Sequence, residues 1–373
     1  MNRRPIVSAF YFPNWHVDPR NEKYHGTGWT EWRVTQYATP RFEGHEQPKV
    51  PLWGYEDEAD PAVMAEKIAA AADHGVDNFT FDFYFFEDGP YRERCLNEGF
   101  LKASNRDRVT FSIMWANHDH IYSHPGSYWK PAEPVWRGDV SVETFRKCTD
   151  YCIEHYFPLP NYLRIDGALH FAIYRPWNII KEMGGIEIFQ RELAAFRARV
   201  EAAGLGRLWL DLPADGFAAW EHIEDAGAPL QMLGADSSFA YSWGYRDTFP
   251  AEEYQPWAEK NIRNQARFME KLSVPYNPVA APGWDSSPRT VQSDMFDNIG
   301  YPFGPVVTGS SPARFEAALR RISELMEREN AGPMVNLSCW NEWTEGAYLE
   351  PDTKSGFGYL EAIRNVFGIK PRR

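Results

Sequence analysis

Eight times along this chain, a short β-branched or aromatic run is followed by a helix-patterned segment. The runs are IVSAFYF (6–12), VDNFTFDFYFF (76–86), RVTFSIMWAN (108–117), ALHFAIYRP (168–176), RLWLDL (207–212), LQMLGADSSFAYSW (230–243), YNPVAAPGWDSS (276–287) and PMVNLSCWNEW (333–343). Helix signals stand between them. Asp60 and Ser311 are placed as N-caps, each with a proline at the first helical position, and Gly75 stands as a stop. Ile188, Phe189, Leu193, Phe196 and Val200 recur at helical spacing. Further helices are expected near 91–103, 142–156, 216–227, 253–272 and 356–368. Alternating strand and helix predicts a parallel sheet. Eight units is the number that closes a (β/α)8 TIM barrel. With no spare strand and no clear linker, 1–373 reads as one such domain with long loops at the C-terminal face. A doubly wound open sheet is the other arrangement. It would want a glycine-rich phosphate loop after the first strand, where Pro13-Asn14-Trp15-His16 stands instead.

Charge narrows the partners. Net charge is −13, which works against nucleic acid or an anionic membrane as a general partner. No apolar run reaches eighteen residues, so no membrane span is expected. The basic start MNRRP leads into an apolar stretch that contains prolines and ends in Trp15-His16. That reads as a first strand, not a signal peptide, and together with free cysteines it predicts cytoplasmic residence. Cys148 and Cys152, four apart on a helix, lack a histidine pair at zinc spacing and read as core thiols. The 15 Trp, 19 Tyr and 24 Phe exceed what one core demands. Some are expected on a surface that stacks sugar rings.

A barrel carries its active site at the C-terminal ends of its strands. Strand one delivers Tyr11, Asn14, Trp15 and His16, then a loop with Trp29, Glu31 and Trp32. Strand two delivers Asp82 and Tyr84, strand three Trp115, Asn117, His118, Asp119 and His120, and strand four Tyr174 and Arg175. Strands five and six deliver Asp211, Asp236, Tyr241 and Trp243, and strand seven Trp284, Asp285 and Arg289. Strand eight ends in Trp340, Asn341, Glu342 and Glu345. Helix caps explain some of the Asp and Asn but not the rings. Acids, amides and rings with few bases suit a carbohydrate and suit an anionic substrate poorly. His118-Asp119-His120 lacks completing ligands, so no metal and no cofactor are expected. His16 either orients a neighbour or touches substrate. Asp285 and Arg289 either pair and brace the rim or bind substrate. Glu350 and Asp352 read as solvated or capping.

In CWNEWTEGAYLEP (339–351), Glu342 and Glu345 are the candidate catalytic pair. Residues three apart on one strand face opposite ways. Both face one cavity only if the strand ends near Trp343 and the chain turns over the barrel mouth. Two carboxylates flanking a scissile bond stand ~5–5.5 Å apart in retaining glycosidases and ~6.5–9.5 Å in inverting ones.

NEWTEG resembles the signature of glycoside hydrolase family 99, the endo-α-mannosidases. With AFYFPNWH, GTGWTEW, FEGHEQPKVP, MWAN, APGWDSSPR and WNEWTEGAYLEPDTKSGFGYLEAIR, the chain is similar to the related WbsX-like proteins over nearly its whole length. Those proteins are named glycosyltransferases and occur with bacterial polysaccharide genes. The resemblance implies a (β/α)8 barrel and retention through a 1,2-anhydro sugar. Glu342 would deprotonate the 2-hydroxyl and Glu345 would serve as general acid/base. The expected substrate binders are Tyr11, His16, Trp29, Glu31, Trp32, Asp82, Tyr84, Trp115, Asn117, His118, Tyr174, Trp284, Asp285, Arg289, Trp340 and Asn341. Two positions depart from the relatives. Asn117-His118 stands where Asn-Glu is common, and Asp82 where tyrosine is common. Three functions follow: an endo-acting retaining glycoside hydrolase on a bacterial or mannose-type polysaccharide, a glycosyltransferase of polysaccharide synthesis, or a non-catalytic carbohydrate-binding barrel. The first accounts for both glutamates. The second would want a diphosphate cradle or an Asp-x-Asp motif.

Overall fold

A computed structural model describes residues 4–130, 133–244 and 246–369; residues 1–3 and 370–373, the ends of the expected 1–373 domain, lie outside the described residues. Eight parallel strands form a closed ring. They are β1 Ile6–Tyr11, β2 Asn78–Phe86, β3 Thr110–Trp115, β4 Ala168–Ile173, β5 Leu208–Pro213, β6 Ser237–Phe239, β7 in two pieces (Tyr276–Asn277 and Val279–Ala280), and β8 Met334–Leu337. β8 returns to β1 with Val7 opposite Val335.

The break in β7 has a simple cause. Pro278 has no N–H to give to a ladder. The residues before it pair with β6 (Phe239 opposite Asn277), and those after it pair with β8 (Ala280 opposite Leu337). Gln265, from helix Tyr254–Lys271, covers the gap. Its side chain accepts from Val279 N at 2.6 Å and donates to Val279 O at 3.0 Å. The expected strand 276–287 therefore ends at Ala280, and 281–290 cross the barrel mouth.

The capped helices form as read. Asp60 accepts from Ala62 N, and Ser311 from Arg314 N. Helix Ile186–Ala202 buries Phe189, Leu193, Phe196 and Val200 against the barrel. Each such side chain contributes about 1.5–3 kcal/mol by leaving water. Cys148 and Cys152 are buried free thiols. The stretch 91–103 is a π-turn (Cys95–Gly99) and a 3-10 turn (Phe100–Lys102), not a regular helix. The expectation of no spare strands is corrected. Gly89–Tyr91 pairs back on β2, and short two-stranded ribbons join 120–121 to 134–136, 251–253 to 306–308, and 341–342 to 347–348. Most of these lie in loops, where local pairing satisfies backbone groups the barrel leaves open. Among the described residues, no helix is long and apolar enough to cross a membrane.

Candidate active site

The chain leaves β8 and is pinned over the end of β1. Asn341 accepts from Phe12 N at 2.8 Å and donates to Phe12 O at 2.9 Å. Asn341–Glu342 then pairs antiparallel with Ala347–Tyr348. Between them lie one tight turn, Trp343–Glu345, and Gly346 at φ +61°. A Cβ on Gly346 would sit 2.7 Å from Asp285 Cβ, so both its backbone angle and its space call for glycine. The turn delivers Glu342 and Glu345 to the same side, where one guanidinium meets both.

That guanidinium is Arg289. Its Nη1 donates to Glu345 Oε1 at 2.5 Å, and its Nη2 to Glu342 Oε1 and Glu31 Oε1, each at 3.0 Å. Its Nε donates to Thr344 Oγ1 at 2.8 Å. Tyr301 Oη adds a second donor to Glu345 Oε1 at 2.7 Å. Among the described residues no hydrogen bond uses the other oxygen of Glu345. Burial opposes ionisation of Glu31, but His124 and Arg289 outweigh it and hold its carboxyl well below the usual range.

Glu342 behaves differently. Burial, reinforced by Glu345, raises it from 4.5 to about 7. Its second oxygen lies 2.8 Å from Tyr241 Oη, which also lies 2.9 Å from Asp82 Oδ2. A phenol has one proton. It can donate to only one of these carboxyls, so the other must bring its own proton. Burial and the neighbouring Glu342 raise Asp82 well above the usual range, in keeping with a shared proton.

These groups open onto a cavity of about 1020 Å³. Of the residues expected from sequence, Asp82, Tyr84, His118, Tyr174, Trp284, Arg289, Glu342 and Glu345 line it. Glu31 reaches it through Arg289. The others stand behind the wall. Tyr11 donates to Met64 Sδ, and Trp115 Nε1 to Phe85 O. Trp29 stacks on His25, and Trp32 packs on Trp15. Asn117 braces the backbone of Arg175, and Trp340 Nε1 donates to Glu350. His16 is fully buried, pushed down to about 3 by burial and then by Arg94 and Arg92.

Three readings are corrected. Asp285 and Arg289 do not pair. Asp285 accepts from Gln47 at 2.6 Å and from His45 Nε2 at 2.8 Å, while Arg289 turns inward to the glutamates. His45 Nδ1 is taken by the N–H of Arg41, so its proton sits on Nε2, facing Asp285. Glu350 is neither solvated nor a cap. It accepts from Lys67 at 2.5 Å, from Trp340 at 2.9 Å and from Trp343 at 2.7 Å. Finally, the cavity is not poor in bases, since Arg92, Arg175, Arg246 and Arg289 all line it. Sequence reasoning gave no role to Tyr241, Tyr301, Thr344 or Arg92. Tyr241 stood at a strand end and was legible; Tyr301 comes from a loop with no motif.

A second ionic cluster lies behind the hairpin. Lys67 bonds Glu58 at 2.6 Å as well as Glu350, and Asn341 Nδ2 reaches Glu58 at 3.1 Å. Burial raises Glu58 to about 7, with Lys67 opposing and Glu350 reinforcing. No three His, Cys, Asp or Glu side chains among the described residues form a group that could hold a metal ion.

The comparisons agree with this architecture. The family described as "Glycosyltransferase WbsX" matches residues 7–363. The uncharacterized protein WxcX of Xanthomonas campestris pv. campestris is 28% identical over 377 residues, 97% of this chain and 50% of that protein. The chain thus spans about half the length of the curated relatives it matches. Among solved structures, the GH99 endo-alpha-mannosidase from Bacteroides thetaiotaomicron superposes with a TM-score of 0.58 at 14% identity, covering 98% of this chain and 96% of that one. A "Glycoside hydrolase-like protein" superposes with a TM-score of 0.63 at 14% identity, covering 99% and 95%. At such identity these two speak for the fold.

Proposed function

The chain belongs to the WbsX family, and on that premise we propose that it is a retaining glycoside hydrolase acting on a bacterial or mannose-type polysaccharide. The observation that carries the reading is one guanidinium, Arg289, gripping Glu342 and Glu345 at the floor of a large cavity. The volume, about 1020 Å³, leaves room for several sugar rings and supports endo action.

Each carboxyl has a distinct task. Glu342, raised to about 7, is a base matched to a sugar hydroxyl near neutral pH. It takes the proton of the 2-hydroxyl as that oxygen attacks C1. Glu345 gives a proton from its unengaged oxygen to the departing glycosidic oxygen, and the C1–O bond breaks. A 1,2-anhydro sugar and a free alcohol result. Glu345 then takes a proton from water, whose oxygen opens the three-membered ring at C1, and Glu342 returns its proton to O2. Two inversions at C1 give net retention. Arg289 and Tyr301 stabilise the charge that appears on Glu345 when it gives its proton away.

The test is proton NMR of the first-formed product, on a panel of bacterial polysaccharides and mannans. The reading expects new reducing ends with the anomeric configuration of the bond cleaved. Inverted product would overturn it. A second reading, transfer from a nucleotide sugar, is favoured by one observation. Arg175 and Arg246 line the cavity with no carboxylate within ion-pair distance among the described residues. Turnover that appears only when nucleotide sugar is supplied would favour it.

A further inference from the structure

One residue in the cavity wall has no task in the chemistry above. Arg92 is 3% exposed, yet no Asp or Glu among the described residues lies within ion-pair distance of its guanidinium, and its Nε has no acceptor. Rings surround it instead. Its Cζ is 4.6 Å from the Tyr91 ring centre, 4.7 Å from Tyr84 and 5.0 Å from Phe12. Aromatic faces offset part of the cost of burying a cation, but they accept few of its five N–H donors. The backbone that places this side chain is itself unusual. Arg92 sits at φ +63°, a left-handed angle that residues with a Cβ seldom adopt, directly after the Gly89–Tyr91 ribbon.

Its acidic neighbours do not pair with it: Glu31 acts on it only at a distance, its carboxylate being engaged by Arg289 and His124. Asp82, the nearby acid, is raised by burial and by Glu342, and its Oδ2 is engaged by Tyr241. His118, edge-to-face with both Tyr84 and Tyr174, is pushed down to about 4 by burial and adds no second cation. The place is also defined relative to the chemistry. The Phe12 ring lies 5.0 Å from Arg92 Cζ and 5.5 Å from Arg289 Cζ, so the two guanidiniums share one ring. Whatever Arg92 binds is therefore adjacent to the sugar at Glu342 and Glu345. An oxyanion satisfies a buried guanidinium fork best. A doubly charged phosphate would also meet Glu342, Glu345 and Glu31, whereas a carboxylate matches the single charge of Arg92.

We propose that Arg92 receives the carboxylate of an acidic sugar, placing a uronate-type residue next to the bond cleaved. This rests on the glycan reading of the cavity.

The test is ligand-observed NMR titration of the whole protein with matched sugars: glucuronate against glucose, galacturonate against galactose, mannuronate against mannose, and glucose 6-phosphate. At least one acid should bind about tenfold or more tightly than its neutral partner. R92M should erase that preference and leave neutral sugar binding unchanged, and R92K should retain part of it. If R92M does not fold, the wild-type pairs and R92K still decide. Equal binding of every acid and its neutral partner would overturn the proposal while sparing the glycan reading. So would a preference that survives R92M. Tighter binding of glucose 6-phosphate than of any uronate would overturn the carboxylate assignment. Binding of no sugar at all would remove the glycan reading, and the proposal with it.

Discussion

Two glutamates in this barrel, Glu58 and Glu342, look alike by charge. Burial raises each to about 7, each lies beside a cation that two or more carboxylates share, and each is at most 5% exposed. Asn341 and Glu342 are neighbours in sequence, yet the Asn341 side chain serves the Glu58 cluster and that of Glu342 the Arg289 cluster. The difference is what lies beyond. Glu58 faces Lys67, Glu350 and the indoles of Trp340 and Trp343 through Glu350, a sealed network. Glu342 faces a cavity. A perturbed carboxyl marks a functional site only when substrate can reach it. The sealed cluster is the splint that holds the hairpin, and the open one is what the hairpin presents.

Removing each cation separates the two clusters most strongly. Lys67→Met leaves two carboxyls and two indole donors without their centre, and should cost about 3–5 kcal/mol of stability. Arg289→Met opens onto solvent and should lower the melting temperature less, while abolishing turnover. Thermal melts beside activity assays check both, and equal destabilisation would erase the distinction. Gly346→Ala follows in size. A methyl group 2.7 Å from Asp285 Cβ at φ +61° should cost about 1–3 kcal/mol and misplace Glu345, so activity should fall more steeply than stability.

The two glutamates also differ in what their titration does. A carboxyl at about 7 in the fold and ~4.3 in the unfolded chain holds a proton that unfolding releases. Its stabilising contribution is complete below the unfolded value and is lost as pH rises through 7. His16 and His118, pushed down to about 3 and 4, pull the other way, so variants are compared with wild type. E58Q and E342Q should each flatten the loss between about pH 4.5 and 7, and only E342Q should cost activity. The smallest effect belongs to Tyr241→Phe. Its hydroxyl favours the charged form of Glu342, so the acid limb of kcat/KM, expected near pH 7, should move upward. An unmoved limb would detach Glu342 from that limb.

Much of this was legible. The eight strands and the caps at Asp60 and Ser311 follow from local patterns that the barrel does not override. The pair Glu342 and Glu345 stood out because two acids and two indoles share six residues. What was not legible is direction. Trp29, Trp32, Trp115 and Trp340 have the composition of a sugar platform, but they pack behind the wall, because an indole at a strand end can turn either way. From sequence, Arg289 either pairs with Asp285 four residues away or binds substrate. The chain instead turns Asp285 to His45 and Gln47, contacts of |i−j| = 240 and 238 that no local pattern carries. Arg92 was invisible for the same reason, since its place depends on a left-handed turn after a three-residue strand.

The most direct measurement is kcat/KM for reducing-end release by E345Q and E58Q, prepared side by side with wild type on any polysaccharide the wild type cleaves. Loss of one acid/base should cost about 10²–10⁴-fold. That drop is expected in E345Q, with nearly full activity in folded E58Q. Sustained release by E345Q, or an equal collapse in both variants, would contradict this expectation.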